Sequence, residues 1–278
     1  MLYRDNDSLE AEIDQQINLL FPDPIRHLLA LDPDRIIHPI IHIYRVEQPS
    51  SQLGSLVPVR HKASTRIPTS FIAHRIVGHW HSHLIADFKA NITPFLRSSV
   101  TTSVADVLFE LAAHKYILKY DSPPLIADSL YTLPPFSLNL QNVTTQDILV
   151  SKERSLINDK PLEVDKYYRP QAPDLPGIDA FVFKEDEKGE IGIIAFQFTV
   201  SELRPIPVKH LSDLWDLIHK PPSSEPNIRF VFVVPKGRER EMGAQPYECS
   251  LEAGIWKGRV QQYVLGINTD EMWNHVEN

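Results

Sequence analysis

Glycine and cysteine are scarce in this sequence, and several common functional motifs are missing. The 278 residues include 10 glycines, with neither the G-x-x-x-x-G-K-[ST] loop nor the G-x-G-x-x-G turn that cradles nucleotide phosphates. No G-x-S-x-G elbow occurs, and the single cysteine, Cys249, lies in no local catalytic pattern. The sequence therefore gives no support for a nucleoside-triphosphatase or for a serine or cysteine hydrolase.

Long apolar runs are also missing. No stretch reaches the ~20 apolar residues that a membrane-spanning helix needs, and the first residues lack the continuous apolar core of a secretory signal. A single cysteine excludes an internal disulfide, which is typical of proteins in a reducing compartment. We therefore expect an intracellular protein, cytoplasmic or nuclear, that does not cross a membrane.

The chain has a formal charge of −8 at pH 7. This charge argues against a broad basic surface for nucleic acid, because phosphate affinity comes largely from clustered lysine and arginine. Local basic patches remain compatible with it. The 42% hydrophobic and 23% charged residues are typical of a globular protein. The length predicts two domains, which we place at residues 1–95 and 96–278.

Residues 1–95 are predicted to form a mainly helical or mixed region, and the sequence does not indicate its role. Apolar spacing predicts a helix over residues 8–21, and residues 71–96 have the pattern of one or two more. The isoleucine-rich residues 36–44 predict a strand at an edge or bend. Residues 49–68 are rich in serine, proline and arginine and predict a loop.

The densest histidine cluster lies in this N-terminal region. His79, His81 and His83 alternate with other residues, and His74 and Asp87 lie nearby. On a strand all three central histidines share a face, whereas on a helix His79 and His83 do. They are candidate ligands for a transition metal such as Zn²⁺ or Ni²⁺, although no cysteine or carboxylate completes the set locally.

Residues 103–119 predict the clearest helix, with Ser103 as its N-cap and an apolar face along its length. Asp106, Glu110 and His114 follow one another at intervals of four residues, so they share one face. This stripe has two interpretations, a solvated polar face or part of a functional site.

The second half of the chain predicts a regular series of elements. Residues 121–176 are rich in proline and predict an excursion with short strands near 147–150 and 167–169. The patterns that follow predict a hairpin of two strands at 178–184 and 191–200, a helix at 208–219, and strands at 228–234 and 259–267. With the preceding helix, the predicted core order is α-β-β-β-α-β, built on a mixed central sheet.

Five segments of this half support a family resemblance: LPGIDAF at 175–181, FQFTVS at 196–201, RPI at 204–206, FVFVVP at 230–235 and VQQYVL at 260–265. Together with the element order, they resemble the PD-(D/E)XK superfamily of restriction-endonuclease-like folds. The segments are most similar to the nuclease-like domain of fungal and oomycete Crinkler and retrotransposon-hot-spot-type proteins. The resemblance covers about residues 100–267 and implies an α/β fold with a restriction-endonuclease-like αβββαβ core.

The resemblance implies a metal site at specific residues. A helical phrase of that family, G-x-x-F-E-x-x-A-H, aligns with residues 106–114 and makes Glu110 its acid. The family's acid at the second strand falls on Asp179, and its (D/E)-x-K pair falls on Gln197 and Thr199. Glu110, Asp179 and Gln197 are therefore the expected ligands of Mg²⁺ or Mn²⁺, which prefer oxygen donors. The implied reaction is hydrolysis of DNA phosphodiester bonds.

The departures from the family pattern concern charge. Glutamine brings no charge to the metal at position 197, and Thr199 replaces the usual lysine. Lys209 or Lys166 are candidates to supply the missing amine, and Arg204 replaces a family histidine and is a candidate phosphate contact. These departures favour a second hypothesis, an inactive nuclease-fold module that acts as an effector or binds a protein partner.

Each site residue also has a structural interpretation. Asp179 can cap the hairpin, Gln197 can satisfy a buried backbone group, and Glu110 can pair with Lys115 or Arg97. On alternation, Gln197 and Thr199 share a face of their strand with Ala195, while Phe196 and Phe198 face the other way. A buried polar side chain on such an apolar strand needs a hydrogen-bond partner or a ligand.

Overall fold

The computed structural model describes two compact units, Met1–Leu111 with Val276–Asn278, and Ala112–His275. The described residues are 15, 42–49, 56–66, 102–119, 124–140, 143–148, 163–170, 175, 177–185, 191–216, 227–248, 253–256 and 258–275. The division between the units falls within a helix, α1 (Thr102–Lys119). The predicted domain boundary near residue 95 stays a prediction.

The first unit contains a two-stranded antiparallel sheet. Strand β1 (His42–Pro49) pairs with β2 (Leu56–Arg66), and the register shifts between Arg45 and Glu47. The prediction of a loop over residues 49–68 is therefore wrong for β2. Its serines, arginines and prolines suit a loop by composition, but cross-strand pairing with β1 overrides local propensity. The predicted helix at 71–96 and the histidine cluster lie outside the described residues.

Helix α1 begins and ends within one residue of its prediction. Its buried apolar side chains recur at intervals of three and four residues and so form one face of the helix: Ala105, Leu108, Phe109, Ala112, Ala113, Tyr116 and Ile117. In the polar stripe, Asp106 and Glu110 are half-buried and His114 is 3% exposed. The solvated-face interpretation is therefore wrong for His114, which lies in the protein interior.

The second unit is built on an eight-stranded mixed sheet in the order β4-β3-β10-β9-β8-β7-β6-β5. The mixed α/β class is thereby confirmed. The strands are β3 (Leu125–Ser129), β4 (Phe136–Leu138), β5 (Thr144–Ile148), β6 (Lys166–Pro170), β7 (Ala180–Glu185), β8 (Ile191–Phe198), β9 (Ile228–Pro235) and β10 (Val260–Ile267). The helices after α1 are α2 (Val208–Asp216), α3 (Ala253–Trp256) and α4 (Thr269–His275).

Strands β6, β7 and β8 form an antiparallel meander, and β8, β9 and β10 run parallel to one another. Helix α2 connects β8 to β9, as a parallel pair requires a crossover. At the margins, β5 pairs parallel with β6, while β3 pairs antiparallel with both β10 and β4. The short strands β3, β4 and β5 lie between α1 and the meander in sequence and occupy the two edges of the sheet.

The sheet is apolar on both faces. One face carries a core cluster in which Phe181, Ala195 and Phe232 are buried together with Leu211 and Leu214 of α2. The opposite face carries Tyr167, Phe196 and Phe198, which contact one another or His114 of α1 through their rings. Among the described residues, no helix is long and apolar enough to cross a membrane.

Candidate functional site

Asp179 and Gln197 lie at one edge of the sheet, where β8 and β9 end and β7 begins. Asp179 immediately precedes β7, and Gln197 is the second-last residue of β8. The register pairs Ala180 with Phe196, the last pair of the ladder, and the amide of Asp179 also bonds to the Phe196 carbonyl oxygen. Asp179 therefore lies beside the end of β8, where Gln197 follows Phe196. Carboxyl ends of parallel strands are also where open α/β sheets bind ligands.

The carboxylate of Asp179 already has a structural contact. Its Oδ2 accepts a hydrogen bond of 2.7 Å from the backbone amide of Phe198. Its own backbone amide donates to the carbonyl oxygen of Phe196 at 2.9 Å. Asp179 therefore joins the start of β7 to the end of β8, in agreement with the capping interpretation, and its half-buried position leaves part of the side chain accessible.

Gln197 has an unusual environment for an amide. Its side chain is 8% exposed, and within the part of the chain that the structure describes its Oε1 has no hydrogen-bond partner. Leaving a buried acceptor unsatisfied costs about 1–3 kcal/mol. An amide oxygen and a carboxylate are both donor types that a hard cation such as Mg²⁺ accepts. By donor type, Gln197 and Asp179 fit the predicted metal ligands.

Thr199 continues the same face beyond β8 and contacts Arg204. The threonine is 0% exposed, and its amide donates to the carbonyl oxygen of Val233 at 2.9 Å, which extends the parallel ladder. Its Oγ1 accepts hydrogen bonds of 2.9 Å from Arg204 Nε and 2.9 Å from the Ser201 amide. Arg204 Nη2 also donates to Ser201 Oγ at 3.3 Å. A guanidinium thus lies against the residue that replaces the expected lysine.

A buried glutamine that sequence reasoning missed holds the backbone of Arg204. Gln245 is 5% exposed, and its Oε1 accepts a hydrogen bond of 2.7 Å from the Arg204 amide. Its Nε2 donates to the carbonyl oxygens of Glu202 and Gly243 at 2.9 and 2.8 Å. Gln262 of β10 accepts from the Gln245 amide at 2.7 Å. No local sequence pattern identifies Gln245, because Arg204, Glu202 and Gln262 are all distant from it in sequence.

A shallow depression adjoins Thr199, and its polar wall is formed by Ser201, Glu202, Arg238 and Glu241. Arg238 Nε donates to Glu241 Oε2 at 2.8 Å, and Arg238 Nη2 lies 3.8 Å from Glu202 Oε1. Arg238 Nη1 also donates to the carbonyl oxygen of Val200. These contacts hold Arg238 against the loop residues that form the depression.

The two candidate lysines lie apart from these contacts. Lys209 is exposed in the first turn of α2. Lys166 lies in β6, and its Nζ pairs with Glu163 Oε1 at 2.9 Å. Neither lysine has a described contact with Thr199. The cation that contacts Thr199 is Arg204.

The first unit contains the third predicted ligand, Glu110, half-buried on α1. Its role as a metal ligand stays a prediction. In the second unit, His114 Nδ1 and Tyr167 Oη are 2.6 Å apart, and the His114 ring lies 4.3 Å from that of Phe198. By strand alternation, Phe198 and Gln197 face opposite sides of the sheet. His114 is therefore a packing residue on the face opposite the candidate site.

Across the described ranges, no group of three or more histidine, cysteine, aspartate or glutamate side chains converges as metal ligands. The end of β8 instead carries three separate features: the Asp179 carboxylate bonded to the Phe198 amide, the unsatisfied Gln197 Oε1, and the Arg204 guanidinium bonded to Thr199. No family model, curated protein or solved structure matches this chain.

Proposed function

We propose that this chain is a nuclease-like protein of the restriction-endonuclease-like PD-(D/E)XK kind, which binds Mg²⁺ or Mn²⁺ and hydrolyses DNA phosphodiester bonds. The observation that carries the proposal is the placement of Asp179 at the end of β8, where its Oδ2 accepts from the Phe198 amide, next to the buried Gln197 whose Oε1 is unsatisfied among the described residues. These are the positions at which the resemblance expects metal ligands.

The arrangement of elements supports the same proposal. Helix α1, the meander β6-β7-β8, the crossover helix α2 and the parallel strand β9 follow in this order, with other strands added at the edges. We propose that these elements, without the strands β3, β4 and β5 that lie between α1 and β6 in sequence, correspond to the α-β-β-β-α-β core predicted from the element order. Fold similarity alone does not establish activity, so the chemistry depends on the site residues.

Each residue has a defined task in the proposed reaction. In this proposal, Asp179 and Gln197 hold the cation. A bound divalent cation polarises a phosphoryl oxygen and lowers the pKa of a water molecule. Arg204 binds the phosphate through its guanidinium, whose planar set of N–H donors matches phosphate oxygens. Thr199 lines the site and orients Arg204, and Lys209 lies on the outer side of α2 as a further phosphate contact.

One observation favours a second candidate, an inactive nuclease-fold module that acts as an effector or binds a protein partner. The hydroxyl of Thr199, at the position of the motif lysine, is engaged by Arg204 and Ser201. No amine is placed there by a described residue, and Gln197 adds no charge. Such a site retains the fold and phosphate recognition while lacking the group that activates water.

Cleavage of supercoiled plasmid and of single-stranded DNA by the purified chain tests the proposal, with Mg²⁺, with Mn²⁺ and with chelator. Asp179→Asn removes the charge while keeping an oxygen acceptor for the Phe198 amide, and Asp128→Asn, at an exposed position in β3, is the matched control. We expect metal-dependent cleavage that Asp179→Asn lowers at least ~100-fold and the control leaves unchanged, a loss of about 2.7 kcal/mol or more in transition-state stabilisation. Cleavage insensitive to Asp179→Asn would remove the assigned site.

A further inference from the structure

The loop that carries Arg204, residues 201–205, has few buried side chains of its own. It lies between two buried residues, Val200 and Ile206, which are 4% and 0% exposed. Within the loop, Leu203 is 66% exposed and Glu202 is also exposed. Packing of these side chains therefore contributes little to the shape of the loop, and a loop with few apolar contacts opens easily unless hydrogen bonds hold it.

One buried side-chain amide supplies such bonds on both sides of Leu203. Gln245, which is 5% exposed, accepts from the Arg204 backbone amide through Oε1 at 2.7 Å. Its Nε2 donates to the carbonyl oxygen of Glu202 at 2.9 Å and to that of Gly243 at 2.8 Å. Gln245 therefore fixes the backbone immediately before and after the tip of the loop.

A second buried glutamine holds the backbone of the first. Gln262 of β10 is 0% exposed, and its Oε1 accepts from the Gln245 amide at 2.7 Å. Its Nε2 donates to the Gln245 carbonyl oxygen and to Tyr131 Oη, both at 3.0 Å. Strand β9 lies between β8 and β10 in the sheet. The two glutamines thus connect the loop after β8 to a strand that β8 does not contact directly.

We infer that Gln245 and Gln262 are positioning residues for a nucleic-acid strand and that they act through the backbone of Arg204. This role rests on the proposed function, in which Arg204 contacts a phosphate. Neither glutamine touches the nucleic acid. Together they fix the loop before binding, so that its conformational entropy is lost on folding rather than on binding. Preorganisation of this kind raises affinity because it lowers the entropic cost of association.

Fluorescence anisotropy of a labelled single-stranded oligonucleotide tests this role on the full chain, with chelator present so that the DNA stays intact. Gln245→Met and Gln262→Met keep the size of each side chain and remove its amide, and circular dichroism verifies that each variant is folded. We expect each to bind the oligonucleotide about three- to tenfold more weakly, which corresponds to the cost of ordering one side chain on binding.

The salt dependence of binding reports the phosphate contact itself. Arg204→Gln should reduce the slope of log affinity against log salt concentration by about 0.7, the contribution of one phosphate contact to single-stranded DNA. Gln245→Met and Gln262→Met should reduce the slope in the same direction, because a displaced Arg204 no longer contacts its phosphate. A loss of stability alone leaves the number of phosphate contacts unchanged.

Two controls separate positioning from a merely structural role. His114→Leu removes a buried polar group on the opposite face of the sheet, so it should lower stability and leave both oligonucleotide affinity and salt slope unchanged. In an Arg204→Gln background, Gln245→Met should cause no further loss of affinity, because a positioning residue acts only through the residue that it positions.

Hydrogen exchange of the wild-type chain, measured by nuclear magnetic resonance, requires no substitution. The backbone amides of Arg204 and Gln245 donate to the two glutamine side chains. Both should exchange slowly before any oligonucleotide is added, because the loop is already ordered. Exchange of the Arg204 amide at the rate of an open loop would overturn the preorganisation.

The binding results separate the positioning role from the proposed function. Wild-type affinity and salt slope in folded Gln245→Met or Gln262→Met would overturn the positioning role and leave the Arg204 contact in place. A further loss of affinity in the Arg204→Gln background would do the same. Wild-type affinity in Arg204→Gln, or no binding by the wild-type chain at low salt, would overturn the phosphate contact and the positioning role together.

Discussion

Asp179 Oδ2 accepts a hydrogen bond of 2.7 Å from the backbone amide of Phe198. Gln197, the buried residue with an unsatisfied amide oxygen, precedes Phe198 in β8. Asp179 therefore has two separable properties, an oxygen acceptor that joins two strands and a negative charge at the end of β8. The first contributes to stability, and the proposed metal chemistry depends on the second.

Substitutions at Asp179 should separate these two properties. Asp179→Ala leaves the Phe198 amide without its acceptor and should lower the free energy of unfolding by about 1–3 kcal/mol. Asp179→Asn keeps an oxygen at the same position and should lower it by less than about 1 kcal/mol. Urea denaturation followed by circular dichroism measures both values. Equal losses for the two variants would show that charge, rather than the acceptor, stabilises this strand pair.

Thr199→Val should weaken both the fold and the binding of nucleic acid. The hydroxyl accepts from Arg204 Nε and from the Ser201 amide in a fully buried position, and valine leaves both donors unsatisfied. We expect a loss of about 1–3 kcal/mol in unfolding free energy and a several-fold weaker oligonucleotide affinity. Thr145→Val, at an exposed position in β5, is the matched control. Unchanged oligonucleotide affinity in a stably folded Thr199→Val would contradict the role given to Arg204.

Strands with strong apolar character could be predicted from the sequence, whereas the marginal strands could not. Residues 228–234 and 259–267 were predicted within one residue of β9 and β10, because strands buried on both faces form continuous apolar runs. Strands β3 and β4 were missed. They are short and lie at an edge of the sheet, and exposed residues such as Ile126 and Asp128 give them no regular alternation.

Alkaline pH should destabilise the second unit through Tyr168. Burial raises the pKa of its phenol, while a hydrogen bond from the Glu163 amide partly opposes the rise. A pKa raised in the folded state means that this stability is complete below the unfolded pKa of about 10 and is lost as pH rises through the higher folded value. The unfolding free energy of the wild-type chain should therefore fall between about pH 9 and 11. The unfolding free energy of Tyr168→Phe should fall less steeply over the same range.

Urea titrations at several pH values measure this difference. Tyr168→Phe loses the hydrogen bond from Glu163, so a lower but flatter curve is expected. Some slope should remain, because burial also raises the pKa of Tyr247. Parallel curves for the wild-type chain and the variant would exclude Tyr168 as the source of the alkaline transition.

His114 and Tyr167 should be energetically coupled. Their side chains approach to 2.6 Å between Nδ1 and Oη, and both are buried. In a double-mutant cycle with His114→Leu and Tyr167→Phe, we expect a coupling energy of about 1 kcal/mol. Denaturant unfolding of the four proteins measures it. Additive losses, within about 0.3 kcal/mol, would show that each side chain contributes independently.

The candidate site could be predicted only where it depends on local strand patterns. Strand alternation was sufficient to place Gln197 on the opposite face from Phe198, and the hairpin was sufficient to bring Asp179 to the end of β8, where its carboxylate accepts from the Phe198 amide. The anchor of Arg204 depends on Gln245, which is 41 residues away, and Gln245 in turn depends on Gln262, which is 17 residues away. Such contacts arise from sheet topology, and a local residue pattern contains no sign of them.

Anomalous diffraction from crystals grown or soaked with Mn²⁺ and a short oligonucleotide tests the central claim most directly. The account predicts an anomalous peak within ligand distance, about 2.1–2.3 Å, of an Asp179 carboxylate oxygen and of Gln197 Oε1, with a phosphate oxygen completing the site. Crystals of Asp179→Asn should lack that peak. Two results would contradict the account. One is an anomalous peak at other residues, and the other is a Gln197 Oε1 that accepts a hydrogen bond from a protein group and has no metal beside it.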